Sequence, residues 1–317
     1  MNPIEIVVLD QATLPDQNLN LDFPHHITAH DHTNADQVSS RIAKANIIVT
    51  NKVKIDANAI RNSPNLQLIA VAATGYEHVD LKAAQECGVV VCNIRAYGND
   101  TVAEHAFMLM IALMRQLPAY QRDVAAGLWQ SSPFFCYFGA PIRDLNGKTL
   151  GIFGRGGIGQ ALAQRAEAFG MTILWGEHKH ANGCRDGYVP FDEVLQKADV
   201  ISLHCPLNNQ TRHMISSTEL QNMKSRALLI NVGRGGLVDE QALLDAITYG
   251  QLAGAGVDVL TEEPPQSGNP LLSQSLPNLI VTPHMAWGSE EAMQRLFGML
   301  QDNINAFVQG KPQNVVG

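Results

Sequence analysis

The 317-residue sequence predicts an α/β protein built from two doubly wound domains, each a parallel sheet with helices on both faces. Three observations carry this expectation. Short β-branched runs alternate with helical patterns along almost the whole chain. The later part holds six such runs in succession, which is enough for a complete doubly wound sheet by itself. The length suits two domains, and 45% hydrophobic residues can fill two cores.

Taken in order, strands are expected over 4–9, 47–50, 68–72 and 89–92, where Val, Ile and Leu cluster in short runs. Helices are expected between them over 35–45, 56–61 and 80–86, and Gly88 stands where a glycine ends a helix. The stretch with His25, His26, His30 and His32 reads as loop and strand on the surface. A long helix runs from Thr101 to about Arg115, apolar on nearly all sides and therefore buried against two surfaces. The segment 127–142 carries Trp129, Phe134, Phe135, Tyr137 and Phe138 with neither clean period, and reads as an arm packed on something such as another subunit. A second alternation begins at Lys148. Its strands are 149–153, 172–175, 200–204, 228–232, 255–259 and 279–282, with helices between them, notably 158–169 and 240–249. A last helix spans 290 to about 309 and ends near Gly310.

Composition narrows the function. The net charge of −8 argues against a nucleic-acid partner, which calls for a basic face. A small anionic substrate stays open, because one or two local Arg or Lys residues outweigh a weak global field. The five cysteines are odd in number and match no zinc spacing; they read as reduced thiols of a cytoplasmic protein, none of them catalytic. The four histidines between 25 and 32 have suggestive spacing, but no carboxylate or cysteine completes a ligand set, so no metal is expected. No apolar stretch reaches the roughly 18–20 residues of a membrane helix. The first run stops at Asp10 and lacks a signal-peptide pattern, so a membrane partner is not expected.

The strongest local signal is Gly154-Arg155-Gly156-Gly157-Ile158-Gly159, which follows an apolar strand and opens a helix. The first glycine permits a tight turn, the second lets backbone approach a pyrophosphate, and the third lets helix and strand pack closely. Free N–H groups and the helix dipole then face the phosphates. Glu177 ends the next strand, where a carboxylate can accept hydrogen bonds from the adenosine ribose and repel a 2′-phosphate. NAD is therefore favoured over NADP, although His178 and Lys179 follow and could partly accommodate a phosphate.

Three polar residues stand beyond late strands, where ligands bind in open α/β sheets: Arg234, Glu263 and His284. A histidine can exchange a proton with a carbonyl oxygen near neutral pH. A neighbouring carboxylate fixes its tautomer, and an arginine can grip a substrate carboxylate with a planar fork. Spacing alone does not show that the three meet.

The ordered blocks Ala73-Thr74-Gly75-Tyr76-Glu77-His78-Val79-Asp80, Val102-Ala103-Glu104-His105, the glycine motif, His204-Cys205-Pro206-Leu207, Asn231-Val232-Gly233-Arg234-Gly235-Gly236, Gly256-Val257-Asp258-Val259 and Thr282-Pro283-His284 resemble the D-isomer-specific 2-hydroxyacid dehydrogenase family over essentially the whole chain. The resemblance implies a Rossmann NAD-binding domain, 99–284, inserted in a flavodoxin-like substrate domain, 1–98 plus 285–317. It implies a homodimer with an arm at about 115–145. It implies hydride transfer between NAD(H) and a small 2-oxo or 2-hydroxy acid. Arg234 then resembles the substrate-binding arginine, Glu263 the acid paired to histidine, and His284 the proton donor. Asp258 matches the residue that holds the nicotinamide carboxamide, and Cys205, Val232 and Gly233 match cofactor-lining positions. Thr74 and Gly75 match the loop whose amides hold the substrate carboxylate. One departure stands out: the family commonly has Arg or a similar residue at Gly157, and here the arginine is Arg155.

Within the family the resemblance is nearest to glycerate dehydrogenases (hydroxypyruvate reductases), on Asn51-Lys52, Phe135-Cys136, Glu177-His178-Lys179 and Ala286-Trp287. Lys52 is a candidate for the substrate carboxylate or terminal hydroxyl, and Trp287 for the wall of a small pocket. D-lactate and glyoxylate-type acids are the alternative substrates. A non-enzymatic NAD(H)-binding regulator is the competing class, against which the retained Arg234, Glu263 and His284 argue.

Overall fold

The first sheet is laid down by apolar runs buried on both faces, as crossover helices on each side require. Its elements are β1 (Ile4–Val8), β2 (His25–Ala29), α1 (Val38–Ile42), β3 (Ile47–Thr50), α2 (Ala57–Arg61), β4 (Leu68–Val71), α3 (Leu81–Glu86) and β5 (Val90–Cys92). All pairs are parallel, in the order β2-β1-β3-β4-β5. Asp56 and Asp80 precede their helices as caps. Their carboxylates accept from the N–H groups of Ala59 and Ala83, contacts worth about 1 kcal/mol each. The computed structural model describes residues 3–15 and 18–317. Two compact units emerge, Met1–Tyr97 with Gly288–Gly317, and Gly98–Trp287.

One local expectation, a surface strand near His25, is met in fuller form, and one differs from the outcome. His25–Ala29 is a full member of the sheet, paired along its length with β1, yet four of its five residues are exposed. An edge strand is held by its backbone ladder, so its sequence carries little apolar signal. The helix expected over 35–45 is shorter: a 3-10 turn, Ala35–Gln37, capped by Asn34, leads into α1.

The second unit begins with α4 (Asn99–Met114) and α5 (Leu117–Ala125). It continues through β6 (Thr149–Phe153), α6 (Gly157–Ala168), β7 (Thr172–Trp175), α7 (Phe191–Lys197), β8 (Val200–Leu203), α8 (Ser217–Asn222), β9 (Leu228–Asn231), α9 (Glu240–Thr248), β10 (Gly254–Val257) and β11 (Leu279–Val281). The six-stranded parallel sheet has the order β11-β10-β9-β8-β6-β7. Its two faces feed two cores. In β9, Leu228 and Ile230 join the cluster of α4 and α6, while Leu229 joins that of α7, α8 and α9. Gly256 lets α4 come close: a Cβ there would stand 2.9 Å from Leu109 Cβ.

The final helix, α10 (Glu290–Val308), packs on β4 of the first unit. Asn303, fully buried on it, donates to the Asn93 carbonyl at 2.9 Å, and Val316 N–H donates to Val91 O at 2.9 Å. Residues 127–142 form turns without a helix or strand, and Phe134, Phe135 and Phe138 are 72%, 93% and 78% exposed. Among the described residues no helix is long and apolar enough to cross a membrane.

Candidate functional site

Parallel strands end on one edge, so loops that follow β9, β10 and β11 emerge side by side. Beyond β9, the Asn231 amide spans the turn: it accepts from Gly233 N–H and donates to the carbonyl of half-buried Arg234 at 2.9 Å. Gly235 packs directly on the loop after β10, where a Cβ would overlap the Leu260 carbonyl carbon at 2.0 Å. That loop is pinned by Glu240, whose carboxylate accepts from Thr261 N–H and the Asn269 amide. Leu260 N–H donates to Glu263 Oε1 at 2.8 Å, and Glu263 Oε2 lies 2.6 Å from His284 Nδ1. The segments that carry Arg234, Glu263 and His284 are thus joined through one short chain of contacts.

The carboxylate can only accept here, so Nδ1 carries the hydrogen and Nε2 is the nitrogen left for proton exchange. His284 has a positive φ of 52°, unfavourable for a non-glycine residue, and its neighbours hold it there. Its N–H donates to the carbonyl of Asp258 at 2.8 Å, and its carbonyl accepts from the Trp287 indole at 2.9 Å. Trp287 therefore tethers the backbone of the histidine as well as packing on the core.

Asp258 is 1% exposed. Its carboxylate accepts from Thr282 Oγ1 at 2.5 Å, Met285 N–H at 3.0 Å and Ala286 N–H at 2.9 Å. His105 on α4 donates toward the same group, with Nε2 2.9 Å from Thr282 Oγ1 and 3.5 Å from Asp258 Oδ1. In this arrangement Asp258 faces inward and organises the turn that presents His284. Burial lowers the His105 pKa, against the pull of the Asp258 charge.

The glycine turn lies at the ends of β6 and β8 in the same sheet. Gly154 has φ +112°, and a Cβ there would lie 2.5 Å from His204 O. A Cβ on Gly159 would lie 2.1 Å from Gly154 O, whereas one on Gly156 would meet nothing within 4 Å. Protein packing thus demands the first and third glycines, and the second leaves bare backbone beside open space. That is a cradle a dinucleotide pyrophosphate fits, with Gly157, Ile158 and Gly159 opening α6 behind it. A cavity of about 530 Å³ extends from it, lined among others by Gly154, Gly156, Glu177, Cys205 and His204. Val232 and Gly233 follow β9, the strand beside β8, with Val232 buried. Burial pushes the Cys205 thiol up to about 11 and the His204 imidazole down to about 4, so both are neutral at pH 7.

Around this cavity the structure adds residues that sequence reasoning passed over. The space above Gly157 is filled by the Asn99 side chain, whose Nδ2 would lie 2.2 Å from a Cβ there. Arg155 turns away from that place; its guanidinium lies over the rings of Trp175 and Tyr188. Arg185, eight residues after Glu177, forks onto its carboxylate with a shortest contact of 2.7 Å. Lys179 is committed elsewhere, to Glu219 at 2.9 Å. Nothing in the motif pattern singles out Arg185 or Asn99, because a loop brings in the first and the start of α4 the second.

Lys52, Thr74 and Gly75 belong to the other unit, after β3 and β4. Asp10 shapes the first of these turns, accepting from the N–H groups of Asn51 and Lys52. Lys52 and Thr74 are exposed, and Asn93 donates to Thr74 O at 2.7 Å. All five cysteines are free. Among the described residues no three His, Cys, Asp or Glu side chains form a metal-binding group. His25 instead contacts Phe23 O at 2.7 Å and His32 contacts Asn34 at 2.8 Å.

Comparison with known proteins identifies the family. The family model for the NAD binding domain of D-isomer specific 2-hydroxyacid dehydrogenases matches residues 107–286. The chain is 47% identical over 313 residues to glycerate dehydrogenase of Methylorubrum extorquens, covering 98% of each chain. It is 36% identical over 324 aligned positions to hydroxypyruvate reductase of Blautia hydrogenotrophica, covering 99% of each. The D-lactate dehydrogenase of Aquifex aeolicus, solved with NAD and lactic acid, superposes with a TM-score of 0.80 at 28% identity, covering 96% of both chains. A family model that spans over half of the sequence, and relatives aligned from end to end, mean that the chain belongs to the NAD-dependent D-isomer specific 2-hydroxyacid dehydrogenases.

Proposed function

We propose that the preferred reaction is the interconversion of hydroxypyruvate and D-glycerate, with Arg234, Glu263 and His284 as the catalytic residues. The contact of 2.6 Å between His284 Nδ1 and Glu263 Oε2 carries the assignment of roles. When bound, the nicotinamide dinucleotide supplies the hydride for C2 of the oxo acid, or accepts it in reverse. His284 gives a proton from Nε2 to the substrate oxygen and takes it back in oxidation. Glu263 fixes the tautomer by accepting from Nδ1, which leaves Nε2 facing the substrate oxygen. Arg234 offers its fork to the substrate carboxylate and polarises the neighbouring carbonyl. Asp258 acts through the His284–Ala286 turn that it holds. Gly154, Gly156, Gly157, Ile158 and Gly159 bind the dinucleotide phosphates, with Glu177, Cys205, Val232 and Gly233 along the rest of it.

Lys52, Thr74 and Gly75 are assigned to the substrate by their match to the family pattern. The choice of a three-carbon hydroxy acid is supported by the full-length likeness to the glycerate dehydrogenase and the hydroxypyruvate reductase. A homodimer is proposed, supported by the exposed aromatic segment with Phe134, Phe135 and Phe138, and a cytoplasmic location is supported by the five free thiols. The test is a steady-state comparison of hydroxypyruvate, glyoxylate, pyruvate and phosphohydroxypyruvate with NADH. Hydroxypyruvate is expected to lead in kcat/KM by about tenfold, the scale of one well-placed substrate contact. In the same assay Arg234→Ala is expected to raise KM and lower kcat together. A larger kcat/KM for any of the other acids overturns the substrate, and an Arg234→Ala enzyme with unaltered KM overturns the arginine's role.

A further inference from the structure

The Glu177 carboxylate stands where an acid distinguishes a ribose diol from a ribose 2′-phosphate, but it is not an open acceptor. His178 N–H, Arg185 N–H and three contacts from the Arg185 guanidinium all converge on its two oxygens, at 2.7–3.1 Å. A carboxylate offers about four lone-pair positions, so none is left over for ribose hydroxyls. The Arg185 fork, together with the two backbone N–H groups, holds the Glu177 carboxyl down at about 2. The pair is therefore neutral as a unit, and the repulsion that would turn away a phosphate is cancelled at its source.

The cations around it are placed unevenly. Lys179 is tied to Glu219 and does not offer its charge. Arg185 is half exposed and lies over Tyr188, its Cζ 3.9 Å from the ring centroid, with Nε and one terminal nitrogen on Glu177. Arg155, in the glycine turn itself, lies 5.7 Å from the same ring and 5.1 Å from Trp175, resting on aromatic faces rather than on a carboxylate. Arg155, Glu177, Arg185 and Tyr188 all line the same cavity as Gly154 and Gly156. One ring thus carries two guanidinium groups beside one neutralised acid.

We propose that this cavity takes the 2′-phosphate of NADPH as well as the ribose diol of NADH, and that Arg185 is the residue that decides between them. With NADPH, the Arg185 fork turns from the carboxylate to the phosphate oxygens, and Arg155 supplies a second charge from the other guanidinium on Tyr188. With NADH, the hydroxyls have to displace Arg185 contacts, so the arginine that helps one cofactor hinders the other. The inference rests on reading the glycine turn and its cavity as the dinucleotide site.

The experiment is a fluorescence titration of the full chain with NADH and with NADPH, in the absence of any acid substrate. The wild-type dissociation constants are expected to agree within about tenfold. Arg185→Ala is expected to weaken NADPH by about tenfold or more, the scale of a lost charge-assisted fork, while it tightens NADH. Glu177→Gln is expected to move the two the other way, and it guards against a change that merely disturbs the loop. A wild-type NADPH constant more than about a hundredfold above that of NADH overturns the proposal. So does an Arg185→Ala protein in which both cofactors weaken equally. If neither cofactor binds, the dinucleotide reading itself falls. Because no substrate is present, failure of the hydroxypyruvate assignment leaves this test untouched.

Discussion

Two carboxylates beyond strands of one sheet, Glu177 after β7 and Glu263 after β10, are each held by a basic side chain, but the two pairs differ in what the base can release. Arg185 keeps its charge at any accessible pH, and its fork closes on Glu177, which is buried to 4% exposure. His284 carries an exchangeable proton on an imidazole, and its pair with Glu263 is about one third exposed on both sides. The first pair therefore keeps both its charges whatever it meets, and shapes what binds. The second is a proton store open to a reacting molecule. A strand-end acid in a doubly wound sheet thus acquires its role from the partner that folding delivers to it.

The strongest way to break this comparison is His284→Ala. Turnover is expected to fall by about a thousandfold or more, the upper range for a general acid–base, while NADH binding by fluorescence is kept. An enzyme that still turns over near the wild-type rate removes the proton store and with it the contrast. Glu263→Gln comes next, with a loss of about ten- to a hundredfold in kcat. NADH binding by fluorescence should be kept, since the carboxylate acts on the imidazole and not on the cofactor. An unchanged kcat would mean that the carboxylate only supports the loop through Leu260. The smallest effect concerns the fixed pair. The Glu177 carboxyl is held at about 2 against an ordinary 4.5, so the unfolded chain binds its proton first as pH falls. Its stabilising contribution is then full above about pH 4.5 and lost progressively toward about pH 2. The melting-temperature gap between wild type and Glu177→Gln should stay constant from neutral pH to about 5 and close below that. A gap that closes between pH 7 and 5 would show that the clamp is looser than the geometry indicates.

Much of the fold was legible because buried parallel strands and amphipathic crossovers write themselves in apolar periodicity. The strands 149–153 and 172–175 were predicted at their observed ends, and most others fall within one or two residues. The edge strand His25–Ala29 was harder to read, since its place in the sheet rests on backbone ladder bonds to β1 and its side chains are largely exposed. The helix expected over 35–45 is longer than α1 because a continuous polar–apolar pattern does not reveal that Asn34 opens a 3-10 turn before it. In the site, the glycine turn and the triad candidates could be named from motif and chemistry. Arg185 and Asn99 could not, since no spacing rule ties residue 185 to residue 177 or residue 99 to residue 157.

By itself the sequence determined two parallel-sheet domains, the position of the dinucleotide turn and the family, because these depend on local order along the chain: run lengths, glycines and neighbouring residue types. Only the tertiary structure decided which partner each acid has. Glu263 meets His284 from 21 residues away, Asp258 turns inward to hold the backbone of Met285 and Ala286, and Glu177 is closed by a loop arginine. Hydrogen bonds and ion pairs act over about 3 Å. Whether two side chains come that close depends on how strands are ordered in the sheet and how loops fold back over its edge, which local sequence does not encode.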